Sequence, residues 1–238
     1  MSRKTVRLTM DNLDGLPDPC RACLFWQLDP VRRNRLDNDD SRSVKETWVS
    51  HALRDWGSCG QVALADDVPV GYAIYVPPSF ADGAATFPTA PVSEDALLLT
   101  TVYVDPAARG GGVGRLLIQG MARDLVKRGG GAWAVEAFGE TDLLRPGLRA
   151  AQGRGRCQID RRPAGGCVVP AGFLSAVGFK TQRAHPTNPR MRMELRSALT
   201  WKDEVEQAVE RLLVVVRPTR PAPKPAQPGL PPARSRIS

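Results

Sequence analysis

The order of apolar segments predicts an α/β (mixed α+β) fold, in which a mixed sheet carries helices on both faces. Three observations predict it. Ala96 to Val104 is almost all apolar or β-branched, the composition of a central strand covered on both sides. A glycine-rich turn at Arg109 to Gly114 follows and leads into an amphipathic run from about Gly112 to Arg128. Alternating segments precede this unit, and strand-like and helix-like segments take turns after it.

Taken in order, Thr5 to Met10 alternates as an opening strand, and Asp29 to Asp40 is polar and basic, an irregular surface stretch. Ser43-Val-Lys-Glu46 has the capping-box pattern, and Val44, Trp48, Val49, Ala52, Leu53 and Trp56 then recur at helical spacing up to a stop at Gly57. Gln61 to Ala65 and Val70 to Val76 flank Asp66-Asp-Val-Pro69 and form a hairpin. Pro77, Pro78, Phe80 and Phe87 occupy a loop before the central strand, which Pro106 ends. In the helix after the turn, Val113, Leu117, Met121 and Leu125 share a face, Lys127 and Arg128 suit its C-terminal dipole, and Gly129 to Gly131 closes it. Ala132 to Phe138 is the next strand. Pro170 opens a short helix, Gly178-Phe179 turns the chain, Arg192 to Arg196 is a late strand, and Trp201 to Val216 is a closing helix.

A helix start offers unpaired N–H groups and a positive dipole end, so the glycine turn is an anion site. Spacing decides which anion. No Lys follows Gly114, which removes the phosphate loop of ATPases. Counting G-x-G-x-x-G from Gly110 or Gly112 puts Arg115 or Leu117 at the third glycine, which removes the dinucleotide fingerprint. The pattern met is [R/Q]-x-x-G-x-[G/A], in Arg109-Gly110-Gly111-Gly112-Val113-Gly114. At these residues the chain resembles the GNAT superfamily of acetyl-CoA-dependent N-acetyltransferases. The resemblance covers roughly residues 5–197, with its specific part at 97–138 plus Gly178-Phe179. It implies a GNAT-like, mostly antiparallel twisted sheet and acetyl-CoA as co-substrate. It also implies a pyrophosphate held by Arg109, Gly110, Gly111, Gly112, Val113, Gly114 and Arg115. The pantetheine arm would pair with the strand before the turn, where a main-chain donor around Val102 to Val104 would serve the oxyanion.

The side-chain machinery departs from the family pattern. Many members carry Tyr four residues before the Gly of the Gly-Phe pair, where this chain has Leu174, and many carry Glu in the long strand, whereas 97–104 holds no carboxylate. Glu136, in the strand after the binding helix, is the remaining candidate base, since apolar neighbours would raise its pKa. Tyr103, His51 and His185 read as structural or surface residues. An acyl-CoA-binding sensor or interaction module without catalysis is the alternative that Leu174 and the carboxylate-free strand favour. The amine substrate, a small molecule or a protein, is expected over residues 25–56 and the loop near Phe80.

The formal charge of +8 divides unevenly: five charges lie in 217–238 and three in 140–166, leaving the rest neutral. The organisation expected is therefore an acetyltransferase domain over 1–200 with a flexible basic insertion at about 140–166. A helix at 201–216 and a disordered Pro-rich tail at 217–238 follow. This distribution argues against specific nucleic-acid binding. No segment has the length of a membrane span, and no secretory signal is evident, so a cytoplasmic protein is expected. Cys20-Arg-Ala-Cys23 has the spacing of half a zinc site that Cys59 and Cys167 would complete if folded together, with Cys157 left over. A metal site, a redox pair within C-x-x-C and reduced thiols stay open, with reduced thiols and no metal the leading expectation.

Overall fold

A computed structural model describes residues 2–129, 131, 133–141, 143 and 167–195. Most of the expected insertion, the closing helix at 201–216, the tail at 217–238 and Cys157 lie outside the described residues.

Among the described residues the strands are β1 (Arg3–Arg7), β2 (Gly60–Ala65), β3 (Val68–Val76), β4 (Ala96–Val104), β5 (Ala134–Glu140), β6 (Val169–Pro170), β7 (Lys180–Arg183) and β8 (Arg190–Glu194). They form one sheet in the order β1-β2-β3-β4-β5-β8-β7, with β6 alongside β5. β4–β5 and β5–β6 are parallel and the other pairs antiparallel, so the sheet is mixed and mostly antiparallel as expected.

Helices cover both faces. On one, α5 (Val113–Arg128) and α6 (Ala171–Ala176) close a core of Leu99, Leu117, Met121, Val135, Leu174 and Met191. On the other, α1 (Met10–Leu13), α2 (Asp18–Arg21), α3 (Pro30–Arg33) and α4 (Asn38–Asp55) form a layer over a second core that includes Trp26, Val49, Tyr72, Leu98 and Phe138. No helix among the described residues is long and apolar enough to cross a membrane.

Several expectations shift. The helix expected at the Ser43 capping box starts six residues earlier, at Asn38, because Asp37 caps it: its carboxylate accepts from the Asp40 N–H at 2.8 Å. The stretch taken as irregular also contains α3, capped by Asp29, whose side chain accepts from Val31 and Arg32. The opening strand ends at Arg7, since Met10 already begins α1. Asp66 and Asp67 alone form the hairpin turn, with φ of 47° and 65°, so β3 starts at Val68. Gly57 does stop α4, at φ 100° with its N–H on the Ala52 carbonyl.

Candidate functional site

β4 and β5 begin side by side and then part. Their pairing covers Ala96↔Ala134, Leu97↔Val135 and Leu98↔Glu136 and stops there, although β4 runs on to Val104 and β5 to Glu140. The register of β4 against β3 slips at the same place, from Ile74↔Thr101 to Tyr75↔Leu99. Thr100 is therefore the extra residue of a β-bulge, fastened by its hydroxyl donating to the Ile74 carbonyl at 3.1 Å. A bulge bends and twists its strand, which swings the second half of β4 away from β5.

Beyond the bulge, the backbone direction follows from one hydrogen bond. The Asp105 N–H donates to the Val70 carbonyl at 2.9 Å, so Asp105 faces β3. Alternation then turns Tyr103 and Thr101 to β3 as well, and turns the backbone groups of Val102 and Val104 to the open edge. That edge presents main-chain groups to an extended ligand as a sheet edge does to a strand.

The glycine turn stands at the end of this opening. Asp105 accepts from the Ala107 N–H at 2.8 Å, holding a short 3₁₀ turn over Pro106–Ala108. Arg109 folds back, its Nε donating to the Val104 carbonyl at 3.1 Å. Gly110 and Gly112 have φ of 78° and 81°, a left-handed conformation, and a Cβ built on either would meet nothing within 4 Å. Gly112 is the N-cap of α5, so the N–H groups of Val113, Gly114 and Arg115 open the helix. Arg3 donates to the Gly111 carbonyl from β1 and steadies the turn.

Gly114 has a different reason to be glycine. A Cβ there would lie 2.7 Å from the Phe173 ring of α6, so this glycine admits a packed helix. Arg115 likewise turns to α6, donating to the Ala176 carbonyl at 3.2 Å. Val113 buries its side chain and offers the turn its backbone alone.

Glu136 is placed otherwise than its apolar sequence neighbours suggest. The side chain is 0% exposed. Oε1 accepts from the Ser93 hydroxyl at 2.6 Å and from Arg192 at 3.4 Å, while Oε2 accepts from the Ser93 N–H at 3.1 Å. Arg190 Nε lies a further 3.4 Å from Oε2. The expected apolar pocket is thus replaced by two guanidiniums and a serine. A carboxylate held this way ties β5 to β8 and to the loop before β4.

The face opposite α5 is aromatic. Trp26 stacks on Phe87 at 5.0 Å and Phe87 on Phe138 at 4.5 Å, while Tyr103 stacks on Tyr72 at 5.6 Å. The β7–β8 loop closes over the end of β5: His185 Nδ1 accepts from the N–H groups of Thr187 and Asn188, and Asn188 donates to the Gly139 carbonyl at 3.2 Å. Sequence reasoning missed this wall, because stacking among residues 26, 87 and 138 leaves no local pattern. His51 belongs to the surface of α4, paired with Asp55 at 2.7 Å. Leu174 is fully buried on the α5 side.

The model of the Acetyltransferase (GNAT) family matches residues 23–142, half of the chain. No curated protein matches. Among solved structures, the chain is similar to the PaiA N-acetyltransferase of Thermoplasma acidophilum in complex with coenzyme A. Identity there is 12%, with 82% of this chain and 99% of that one covered and a TM-score of 0.48. It is also similar to yncA of Salmonella typhimurium, solved with its cofactor acetyl-CoA, at 13% identity, 82% and 95% coverage and a TM-score of 0.46. The ribosomal-protein-S18-alanine N-acetyltransferase of Escherichia coli is 13% identical over 82% of this chain and 94% of that one, with a TM-score of 0.40. The match over 23–142 takes in the bulged strand, the glycine turn and the helix behind it, and the chain belongs to the GNAT acetyltransferase family.

Proposed function

We propose that this chain transfers an acetyl group from acetyl-CoA to a primary amine, carried by a small molecule or a protein. The observation that carries the reading is the parting of β4 and β5 beside a glycine turn that opens a helix. Acetyl-CoA suits both ends of that opening. Its pyrophosphate would meet the N–H groups at the start of α5, the uncrowded main chain at Gly110 and Gly112, and the Arg109 guanidinium. Its pantetheine amides would pair along the Val102–Val104 edge.

Acetyl transfer needs a donor for the oxyanion that forms at the thioester carbon, and a main-chain N–H of Val102 or Val104 is suited to supply it. The amine would approach over the aromatic face, between the layer of α1 to α4 and the β7–β8 loop. Glu136 has both oxygens engaged, so we assign the amine's proton to solvent at this face, and Glu136 to the support of β5. Holding thioester and amine together supplies the larger part of the rate.

The test combines calorimetry of the full chain with acetyl-CoA and thiol release across a panel of primary amines. Val102→Pro removes the N–H at the open edge while sparing the ladder to β3. It should lower kcat on the order of 100-fold with the melting temperature little changed. Binding without thiol release from any amine would overturn the transferase reading, and absence of binding would overturn the site itself.

A further inference from the structure

The sequence offered Cys20 and Cys23 as neighbours in a C-x-x-C pair, but the fold pairs one of them with a different thiol. Cys23 Sγ lies 3.0 Å from Cys167 Sγ, across 144 residues of chain. Both are partly exposed, whereas Cys20 and Cys59 are buried.

The backbone on each side is clamped. Buried Lys45 donates from Nζ to the Cys23 carbonyl at 3.0 Å, and Trp26 Nε1 donates to the Cys167 carbonyl at 3.1 Å. Trp26 is itself fixed by its stack on Phe87. Two thiolates sharing a zinc, with Zn–S near 2.3 Å in a tetrahedron, stand about 3.7 Å apart. The Cys23–Cys167 contact is well inside that. Among the described residues no group of three or more His, Cys, Asp or Glu is placed to hold a metal.

The surroundings shift Cys23 and Cys59 in opposite directions. The hydrogen bond with Cys167 is the main influence on Cys23, and with the charges of Lys45 and Arg33 it outweighs burial and brings the thiol down to about 6. Burial pushes Cys59 up to about 11. A thiol lowered this far favours the thiolate at neutral pH, and the thiolate is the nucleophile.

We propose that Cys23 and Cys167 are a redox pair that closes a reversible disulfide in response to hydroperoxide, pinning the segment after α2 to the strand β6. The Cys23 thiolate attacks the O–O bond of hydrogen peroxide. One oxygen stays on sulfur as sulfenic acid, and the other leaves as hydroxide, which takes from solvent the proton that the Cys23 thiol gave up and becomes water. The Cys167 sulfur then attacks the Cys23 sulfur, and the sulfenic oxygen leaves as a second water with the Cys167 proton. Both sulfurs are oxidised, the peroxide is reduced, and a dithiol reverses the step. The consequence is local: Cys167 lies two residues before β6, which pairs with β5 at Gly139 and Glu140, beside the parting of β4 and β5.

The experiment is non-reducing peptide mapping of the reduced full-length protein after hydrogen peroxide. The Cys23 peptide should appear joined to the Cys167 peptide, and dithiothreitol should separate them. The link should persist in Cys20→Ser and vanish in Cys23→Ser and Cys167→Ser. Since it closes a long loop, oxidation should raise the melting temperature by roughly 10 °C. Full alkylation of both thiols after peroxide would overturn the proposal, as would a link of Cys20 to Cys23 or of Cys157 to either thiol. A zinc ion in the native mass that disappears in Cys23→Ser would overturn it too. The wild-type mapping decides the matter even if a serine variant fails to fold.

Discussion

Gly112 and Gly114 sit two positions apart in one turn and are glycine for unrelated reasons. At Gly112 the backbone is left-handed over open space, so Gly112→Ala should cost roughly 1 kcal/mol in strain. It should also weaken coenzyme A binding, measured by calorimetry. At Gly114 the obstacle is Phe173, so Gly114→Val should destabilise the fold by about 1–3 kcal/mol through overpacking. Phe173→Ala in the same chain should recover part of that loss, which a ligand-contact role would not predict. The motif alone showed both glycines without distinguishing them, since Phe173 is remote in sequence. Arg109→Ala should weaken acetyl-CoA binding about fivefold, with the gap narrowing as salt is raised. Glu136→Gln leaves Arg190 and Arg192 beside a neutral group in the interior and should cost roughly 3 kcal/mol in denaturant melts. The sequence placed Glu136 in the strand after the binding helix, but that strand lies inside the sheet between β4 and β8, and nothing local showed Ser93, Arg190 and Arg192 arriving from elsewhere.

At the scale of elements, α5 is fixed by more than its apolar stripe. Asp124 on its inner side accepts from the Tyr75 hydroxyl at 2.7 Å, from Arg7 at 2.8 Å and from Arg128 at 2.8 Å, which ties the helix to β1 and β3. Arg128 continues across the Trp56 ring at 4.1 Å, bringing in the end of α4. Burial alone would raise the Asp124 carboxyl, but the hydrogen bonds of Tyr75 and Arg128 and the charges of Arg128 and Arg7 hold it below its usual value. A depressed carboxylate stabilises the fold fully above its unfolded value, near 3.9, and the contribution is lost as pH falls through the folded value. Stability measured against pH should therefore drop on the acid side below about 4, and Asp124→Asn should flatten that limb. The apolar periodicity announced α5 to within a residue, and the long run of β4 was equally plain. The start of α4 was not, because the Ser43 box competed with Asp37, and two plausible caps six residues apart give the same apolar pattern. Short elements such as α1 and β7 carry too few residues to show a period at all.

Across the whole molecule, the mixed sheet with two covered faces was legible because nearly every strand has its own alternating or apolar run. The candidate site was legible on the side of the glycine turn as an arrangement of strand, turn and helix, which follows from consecutive residues. It was opaque on the aromatic side, where Trp26, Phe87, Phe138 and the His185 loop meet only through tertiary packing. The Cys23–Cys167 contact was hidden for the same reason, behind a closer and more familiar C-x-x-C spacing. The brief pairing of β4 with β5 has a mechanical consequence. Three residue pairs join a half-sheet of β1 to β4 to a half-sheet built on β5, β8 and β7. Beyond Leu98 and Glu136 the two strands share no ladder pair. Amide exchange at Val102 and Val104 should accordingly be fast in the free protein and slow on adding acetyl-CoA. A cofactor lying there would act as a stitch between the two parted strands, coupling its occupancy to the order of the molecule's middle.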